Sequence, residues 1–165
     1  RESDMEWQEI CDHPQLRDLP FKVETNKWGH LEMTPASNEH GLYQALIVQW
    51  LAKLGARGHA ISECSVLTSA GVKVADVAWA GNAFFKRNRR TNPYPEAPEI
   101  VIEIFSPSNS QAEMDEKKEL YFARGAREFW TCGRDGEVRF FDNHEKLQKS
   151  RLIPEFPVRI EIDFA

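Results

Sequence analysis

Glu99-Ile-Val-Ile-Glu-Ile-Phe105 is the stretch that decides the fold of this chain, and it continues into Ser106-Pro-Ser-Asn-Ser110. Its branched apolar residues predict a strand that is buried on both faces. Side chains alternate along a strand, so Glu103 shares a face with Val101 and Phe105. A carboxylate buried at that position needs a cation, a proton or access to water. The sequence therefore predicts a partner for Glu103.

Length and composition are typical of one globular domain. The chain has 165 residues, of which 41% are hydrophobic and 28% are charged, and this size can bury one sizeable core. We expect a single domain over 1–165, with no membrane-spanning segment and a cytoplasmic location. The three cysteines follow no metal-binding spacing and are expected to be reduced thiols with a structural role. A net charge of −5 argues against nucleic-acid binding by the whole surface, but not against a local basic patch.

A short helix and a hairpin are predicted at the start of the chain. Ser3 and Glu6 form a capping-box pattern, which predicts a helix that ends near Pro14. Two short strands between Phe21 and Met33 flank Asn26-Lys27-Trp28-Gly29, a sequence typical of a hairpin turn.

The clearest helix is predicted from Glu39 to Leu54. Its apolar residues recur at helical spacing and form one stripe, made of Leu42, Leu46, Ile47, Trp50, Leu51 and Leu54. Glu39 lies one turn before this stripe, so we expect it to face inward as well.

Three strands and a second helix follow. The strands are expected at 60–67, 72–80 and 99–105. Asp76 stands at the centre of the second strand among apolar residues that share its face. The long loop between Gly81 and Pro98 contains a basic cluster of Lys86, Arg87, Arg89 and Arg90. Ser110 and Glu113 predict a helix from about 111 to 124, and further strands are expected at 128–132, 138–141 and 158–164.

This order of elements predicts an α/β (α+β) fold. The centre of the chain reads helix, strand, strand, strand, helix, strand, with hairpins at both ends. Because most connections are too short for helical crossovers, we expect a mixed sheet flanked by helices. The core would cover about 38–132, with an N-terminal helix and hairpin at 3–34 and C-terminal strands at 137–164.

Two acids on adjacent apolar strands favour metal-assisted hydrolysis of a phosphodiester bond. Mg²⁺ prefers oxygen ligands and often takes only one or two protein carboxylates, which Asp76 and Glu103 would supply. The ion, or Mn²⁺ in its place, would lower the pKa of the attacking water. A helix lysine would assist that water or stabilise negative charge, but helical geometry leaves Lys117 and Lys118 open. Zinc suits the site less, since no His or Cys lies near these acids in the sequence.

Four stretches resemble the PD-(D/E)XK nuclease superfamily, and more closely a bacterial family of restriction-endonuclease-like proteins, many of them of unknown function. They are 33–41, 75–78, 97–108, and 116–121 with 125 and 128–130. The resemblance implies a restriction-endonuclease-like core with Asp76 and Glu103 as metal ligands. It also implies the backbone carbonyl of Ile104 as a further ligand and Glu39 as an acid from the first helix.

The chain departs from the superfamily pattern at two positions. Ala75 replaces a proline that does no chemistry, and Phe105 replaces the lysine expected two residues after Glu103. In the resembling family a lysine of the next helix takes that place, and the match points to Lys117.

The predicted function is therefore that of a Mg²⁺-dependent endonuclease acting on DNA. Cleavage of both strands of a duplex needs two sites, which favours a homodimer. The basic cluster at 86–90 would clamp phosphates, although such a run is more often a solvated loop. His40 follows Glu39, and two roles are open for it: it reaches the cleft, or, as is more common, it caps or packs. The tryptophans Trp28, Trp50, Trp79 and Trp130 are expected to be core or interface aromatics, rather than base-stacking platforms. The competing hypothesis is a nuclease-fold binding or structural module without catalytic activity.

Overall fold

The computed structural model describes residues 6–163, and within that range it contains four helices and eight strands. Helix α1 (Trp7–Asp12) and the hairpin strands β1 (Phe21–Thr25) and β2 (Leu31–Pro35) come first. Then follow α2 (Asn38–Leu54), β3 (Gly58–Thr68), β4 (Gly71–Gly81), α3 (Asn82–Asn88), β5 (Ile100–Ile104), α4 (Gln111–Ala123), β6 (Glu128–Cys132), β7 (Val138–Phe141) and β8 (Lys146–Leu147). None of the helices between residues 6 and 163 has the length and apolar character needed to cross a bilayer.

Six of the strands form one mixed sheet in the order β3-β4-β5-β6-β7-β8. All neighbouring pairs are antiparallel except β5 and β6, which are parallel. A parallel pair needs a crossover, and α4 provides it between these two strands. The predicted mixed sheet with flanking helices is confirmed.

The two faces of β5 pack against different parts of the molecule. Ile100, Ile102 and Ile104 belong to the hydrophobic core that contains the α2 side chains Tyr43, Ile47 and Leu51. Val101 lies on the other face, in a second core with Tyr121 of α4. The alternation of side chains along β5 therefore directs its isoleucines and Val101 into different cores, and Glu103 lies on the side of Val101.

The buried stripe of α2 is rotated from the predicted one. Tyr43, Ile47 and Leu51 are its buried residues, at a spacing of four, whereas Leu42 remains 40% exposed. Ser37 caps the helix by accepting a hydrogen bond from the His40 backbone N–H, which is one of the N-terminal donors that otherwise lack a partner. The rotation changes which first-turn side chain faces the sheet.

The segment predicted as a long loop between 81 and 98 contains helix α3. Phe84 of α3 is 1% exposed, and its ring contacts Tyr94 edge-on at 5.0 Å between centroids. Asn88 closes the helix, with its side-chain amide donating to the Phe84 carbonyl and to Glu96. This helix is only seven residues long and lies in the first half of the segment, before its prolines.

The strand predicted at 158–164 is wrong over the part of that range that the structure describes, which ends at residue 163. Its segment forms one isolated bridge, between Arg159 and Glu137. The Val138 N–H at the start of β7 donates to the Val158 carbonyl at 2.9 Å, and the Ile160 N–H donates to the Gly136 carbonyl at 2.8 Å. Phe164 lies outside the described residues, and so does Ser3 of the predicted capping box. The helix that Ser3 was expected to cap starts after Glu6, whose backbone N–H donates to Glu9 Oε2 at 3.1 Å.

The hairpin of β1 and β2 docks on β4 through hydrogen bonds from the β4 backbone. The Val72 N–H donates to Thr25 Oγ1 at 2.8 Å, and the Val74 N–H donates to Glu24 Oε2 at 2.7 Å. Val72 and Val74 also form a small hydrophobic core with Trp7 and Ile10 of α1. The docking brings the inward-facing side chains of β1 over the centre of the large sheet.

Candidate active site

A cavity of about 630 Å³ opens between the hairpin, the first turn of α2 and the helix α4. Asp76 of β4 and Glu103 of β5 line it, although they are only 2% and 1% exposed. We call this space the site cavity. Burial of a carboxylate costs free energy. Buried carboxylates that line a cavity with polar walls are therefore typical of a functional site.

Asp76 and Glu103 point to the same side of the sheet. Val77 of β4 pairs with Ile102 of β5, so the next pair along the antiparallel strands sets Asp76 opposite Glu103. One ammonium group contacts both carboxylates: Lys22 Nζ lies 3.1 Å from Asp76 Oδ1 and 3.3 Å from Glu103 Oε2. Lys22 comes from β1 of the docked hairpin. The structure thus brings together the two acids that the sequence predicted, with a lysine between them.

Asp76 is held in its charged form. Burial raises its pKa, but the Lys22 ammonium, the His40 side chain and the Ile104 N–H outweigh burial and lower that pKa well below its usual value. The Ile104 N–H donates to Asp76 Oδ2 at 2.7 Å, and His40 Nε2 lies 3.2 Å from Oδ1. The same contact with Asp76 raises the pKa of His40, against the effect of burial. Gln44 donates to the Asp76 backbone carbonyl at 2.8 Å.

Glu103 is the more basic of the two acids. Burial raises its pKa to about 7, although the lysines Lys117 and Lys22 act in the opposite direction. Its Oε1 accepts a hydrogen bond from Tyr121 at 3.0 Å and lies 3.5 Å from Lys117 Nζ. Two carboxylates that face each other therefore have pKa values displaced in opposite directions by their surroundings.

Lys117 is the helix lysine that reaches the cavity. Its ammonium contacts both oxygens of Glu24, at 3.0 and 3.1 Å, and these contacts hold it beside Glu103. Glu24 is itself 5% exposed, and the two lysines Lys22 and Lys117 lower its pKa against the effect of burial. Lys118 points elsewhere, with its ammonium 4.8 Å from the ring centroid of Phe141.

Five of the predicted site residues lie away from this cluster. Glu39 is half exposed and pairs with Arg134 at 3.7 Å, because the rotation of α2 turns His40 and not Glu39 toward Asp76. The basic cluster of Lys86, Arg87, Arg89 and Arg90 follows the end of β4 that lies beside the start of β5, so it is near the opposite end of β5 from Glu103. None of its residues lines the site cavity.

Sequence reasoning missed Lys22 and Glu24. They are two positions apart on β1 and so share a face, which is the signal that could have found them. The position of Lys22 and Glu24 on one face of β1 does not by itself show which residues they contact, since that depends on the docking of the hairpin over β4. Of the two roles left open for His40, the structure has the one in which its side chain reaches the site, since it contacts Asp76.

The donor set fits a small hard cation in part. Two carboxylates are enough for Mg²⁺, which keeps much of its shell for water and phosphate. Between residues 6 and 163, no cluster of three or more His, Cys, Asp or Glu has a metal-binding arrangement. The Lys22 ammonium stands where both carboxylates point, so the position suits a cation and a divalent ion would replace the lysine there.

Comparison with known proteins places this chain in a family. The model of the Uma2 family, described as "Putative restriction endonuclease", matches residues 13–158. The chain belongs to the Uma2 family. The match covers the hairpin, both helices at the site and the whole large sheet, and membership of Uma2 supports a nuclease function.

A solved structure shares the fold of this Uma2 chain. It is a protein described as a putative nuclease from Anabaena variabilis, with a TM-score of 0.64 and 18% sequence identity. The similarity covers 76% of this chain and 74% of that one, and at this identity it shows a shared fold alone. The search of curated proteins found no match.

Proposed function

We propose that this Uma2 chain is a Mg²⁺-dependent endonuclease that hydrolyses phosphodiester bonds in DNA, with Mn²⁺ able to replace Mg²⁺. The observation that supports it is the pair of buried carboxylates, Asp76 and Glu103, which converge on one cation position at the floor of the site cavity. Cleavage of both strands of a duplex needs two such sites, so we include a homodimer in the proposal.

Asp76 and Glu103 would hold the metal ion, together with the backbone carbonyl of Ile104. Ile104 directly follows Glu103 and lines the cavity. A divalent ion bound there lowers the pKa of a water molecule and offsets the charge of the phosphate. The two carboxylates are held in place by the Ile104 N–H on Asp76 and by the Tyr121 hydroxyl on Glu103. Side chains that are already oriented lose little freedom when they bind an ion.

The charge of the cavity explains why a metal would be needed. Among the described residues, seven carboxylates line it, against four lysines: Lys22, Lys27, Lys73 and Lys117. A surface with this balance repels a phosphate group. The lysines that are paired with carboxylates leave this excess of negative charge in place. Added positive charge would therefore be required before a DNA strand could approach Glu103.

Lys117 would stabilise the negative charge that develops on the phosphate oxygens. Its bidentate contact with Glu24 fixes the ammonium 3.5 Å from Glu103, so no reorganisation is needed during the reaction. Lys22 has a different role in this proposal: it compensates the charge of Asp76 and Glu103 in the metal-free protein, and a bound ion would take over this role. His40, which contacts Asp76, would keep that carboxylate oriented.

Cleavage assays test the proposal directly. Single-stranded DNA, duplex DNA and RNA are incubated with the protein and Mg²⁺, Mn²⁺ or a chelator. We expect metal-dependent cleavage of DNA that Asp76→Asn and Glu103→Gln each remove. Glu119→Gln is the matched control, since Glu119 is an exposed carboxylate of α4 that does not line the cavity. Cleavage that persists unchanged in both site variants would refute the assignment.

The contacts of Lys22 favour a second candidate, a nuclease-fold module without turnover. With Lys22 in place, both acids already have a cationic partner and the cluster is complete without a metal. Absence of Mn²⁺ binding by calorimetry, together with no cleavage of any substrate, would support this module over the enzyme.

A further inference from the structure

The hairpin tip carries an aromatic ring that the reaction chemistry does not use. Trp28 lines the site cavity and is 65% exposed, more than any other large hydrophobic residue in the described part of the chain. By contrast, the two tryptophans of the large sheet, Trp79 and Trp130, are 8% and 0% exposed. Leaving an indole in water forgoes its burial energy, so an exposed ring beside a candidate active site suggests a ligand.

Hydrogen bonds within the turn fix the backbone at Trp28. Asn26 Oδ1 accepts hydrogen bonds from the backbone N–H groups of Trp28 and His30, both at 3.0 Å. The Gly29 N–H donates to the Asn26 carbonyl at 3.0 Å. Gly29 has a φ of +79°, a conformation that glycine adopts without strain. The backbone under the indole is therefore ordered before any ligand arrives, which reduces the entropic cost of binding.

Lys27 places a positive charge over one face of the ring. Its ammonium lies 4.4 Å from the centroid of the Trp28 ring, and both side chains are exposed. Lys27 makes no ion pair with a carboxylate among the contacts of residues 6–163, in contrast to the partly buried lysines Lys22 and Lys117. The His30 ring stacks with Trp28 at 6.4 Å between centroids. An aromatic ring with an ammonium over it that has no carboxylate partner can bind a base and its phosphate, the lysine moving to the phosphate as the base takes its place on the ring.

We propose that Trp28 stacks on an unpaired base of the substrate, so that single-stranded or unpaired DNA is the preferred substrate class. This inference rests on the proposed function. Stacking needs a free face of a base, and inside a duplex both faces are covered by neighbouring bases. Glu103 is 1% exposed at the floor of the cavity, so a phosphate must enter the cavity to reach it. A single flexible strand can enter such a space more readily than a duplex.

Binding is measured separately from cleavage. A short single strand that contains one 2-aminopurine is titrated with the protein in Ca²⁺, and a gel of the same samples confirms that the strand stays intact. We expect stacking on Trp28 to quench the 2-aminopurine. Trp28→Ala should abolish the quenching and weaken binding about tenfold, whereas Trp28→Phe should retain most of both. Val158→Ala is the control, since Val158 is 57% exposed and does not line the cavity.

Several results would overturn the inference. These are a single-strand affinity that Trp28→Ala leaves unchanged, an equal loss for single strand and duplex, or no binding of the single strand by the unsubstituted protein. A change from dimer to monomer caused by Trp28→Ala in sedimentation would instead assign the ring to a subunit contact and also overturn it. Trp28-dependent binding without cleavage would refute the proposed nuclease and leave the base-binding surface standing. Cleavage that Trp28→Ala leaves unchanged would support the proposed nuclease and refute the base-binding surface.

Discussion

The ammonium of Lys22 lies 3.1 Å from the carboxylate of Asp76, although the two residues are 54 positions apart in the sequence. Both side chains are largely buried, with exposures of 13% and 3%. Burial lowers the pKa of Lys22, but the carboxylates of Glu103 and Asp76 outweigh burial and raise it, so the lysine stays charged. A fixed positive charge therefore stands at the point where the proposed metal would bind.

The first prediction is that Lys22→Met increases the affinity for Mn²⁺. Methionine keeps much of the length of lysine but has no charge, so the ion no longer competes with an ammonium. We expect the dissociation constant, measured by titration calorimetry, to fall by about tenfold. Lys27→Met at the exposed hairpin tip is the control and should change little. An unchanged or weaker affinity in Lys22→Met would show that Lys22 does not compete with the ion.

The same substitution should destabilise the metal-free protein. Removal of one partner from a buried ion pair leaves Asp76 and Glu103 without their shared cation, at a cost of about 3 kcal/mol in the free energy of unfolding. Urea denaturation in chelator measures this loss. Addition of Mn²⁺ should restore more stability to Lys22→Met than to the unsubstituted protein, because a ligand that binds only the folded state stabilises it. Equal stability of the two proteins in chelator would contradict the prediction.

The parts of the site that the sequence predicted are those fixed within neighbouring strands. Asp76 and Glu103 each interrupt an apolar strand, and strand periodicity with antiparallel pairing is enough to set them on one side. Lys117 could be chosen over Lys118 only through the family resemblance. The structure shows the reason for the choice, since α4 turns Lys117 toward Glu24 and sets Lys118 over Phe141.

The parts that the sequence did not predict depend on long-range docking or on a small rotation. Lys22 and Glu24 reach the site because β1 docks on β4, and nothing within the hairpin specifies that contact. Glu39 and His40 are adjacent, so a rotation of α2 by about one residue decides which of them faces Asp76. The predicted apolar stripe of α2 included Leu42, but Tyr43 is the buried residue. This difference accounts for the wrong placement of Glu39.

Two glycines provide a matched test of the backbone. Gly136 and Gly125 both have positive φ, at +85° and +97°. A Cβ at Gly136 would overlap the backbone carbonyl of Ile160, whereas a Cβ at Gly125 meets no atom within 4 Å. Gly125→Ala should cost about 1 kcal/mol from backbone strain alone, and Gly136→Ala should cost clearly more, both measured by urea denaturation. Equal costs would show that the 158–160 segment can move away from the turn.

The cysteines should differ in their reactivity. Burial raises the pKa of the Cys64 thiol to about 12, and that of Cys132 to about 12 with a smaller contribution from Asp135. Thiolate is the reactive form, so the native protein should take up one iodoacetamide at pH 8, on the half-buried Cys11, and three after unfolding. Rapid labelling of Cys64 in the native protein would contradict its burial.

The raised pKa values of these two thiols predict a loss of stability at high pH. A group whose pKa is raised in the folded state stabilises that state below its unfolded pKa, here about 9, and loses this contribution as pH rises through about 12. The free energy of unfolding should therefore fall above pH 9. Cys64→Ala should make this fall less steep in urea denaturation series, and an unchanged slope would show that other groups cause it.

Lys117→Ala is predicted to reduce DNA cleavage far more than Lys118→Ala. The Lys117 ammonium lies beside Glu103 and is oriented by Glu24, so its loss removes a fixed charge from the proposed transition state, at a cost of about a hundredfold in rate. Lys118 contacts only the Phe141 ring among the interactions that the structure describes, and its removal should change the rate little. Single-turnover cleavage with saturating Mg²⁺ measures both. Because Lys117→Ala also leaves Glu24 unpaired, circular dichroism melting is needed to show that the variant is folded under the assay conditions. A folded Lys117→Ala protein that cleaves at the normal rate would remove Lys117 from the mechanism and leave Lys22 as the lysine nearest to both carboxylates.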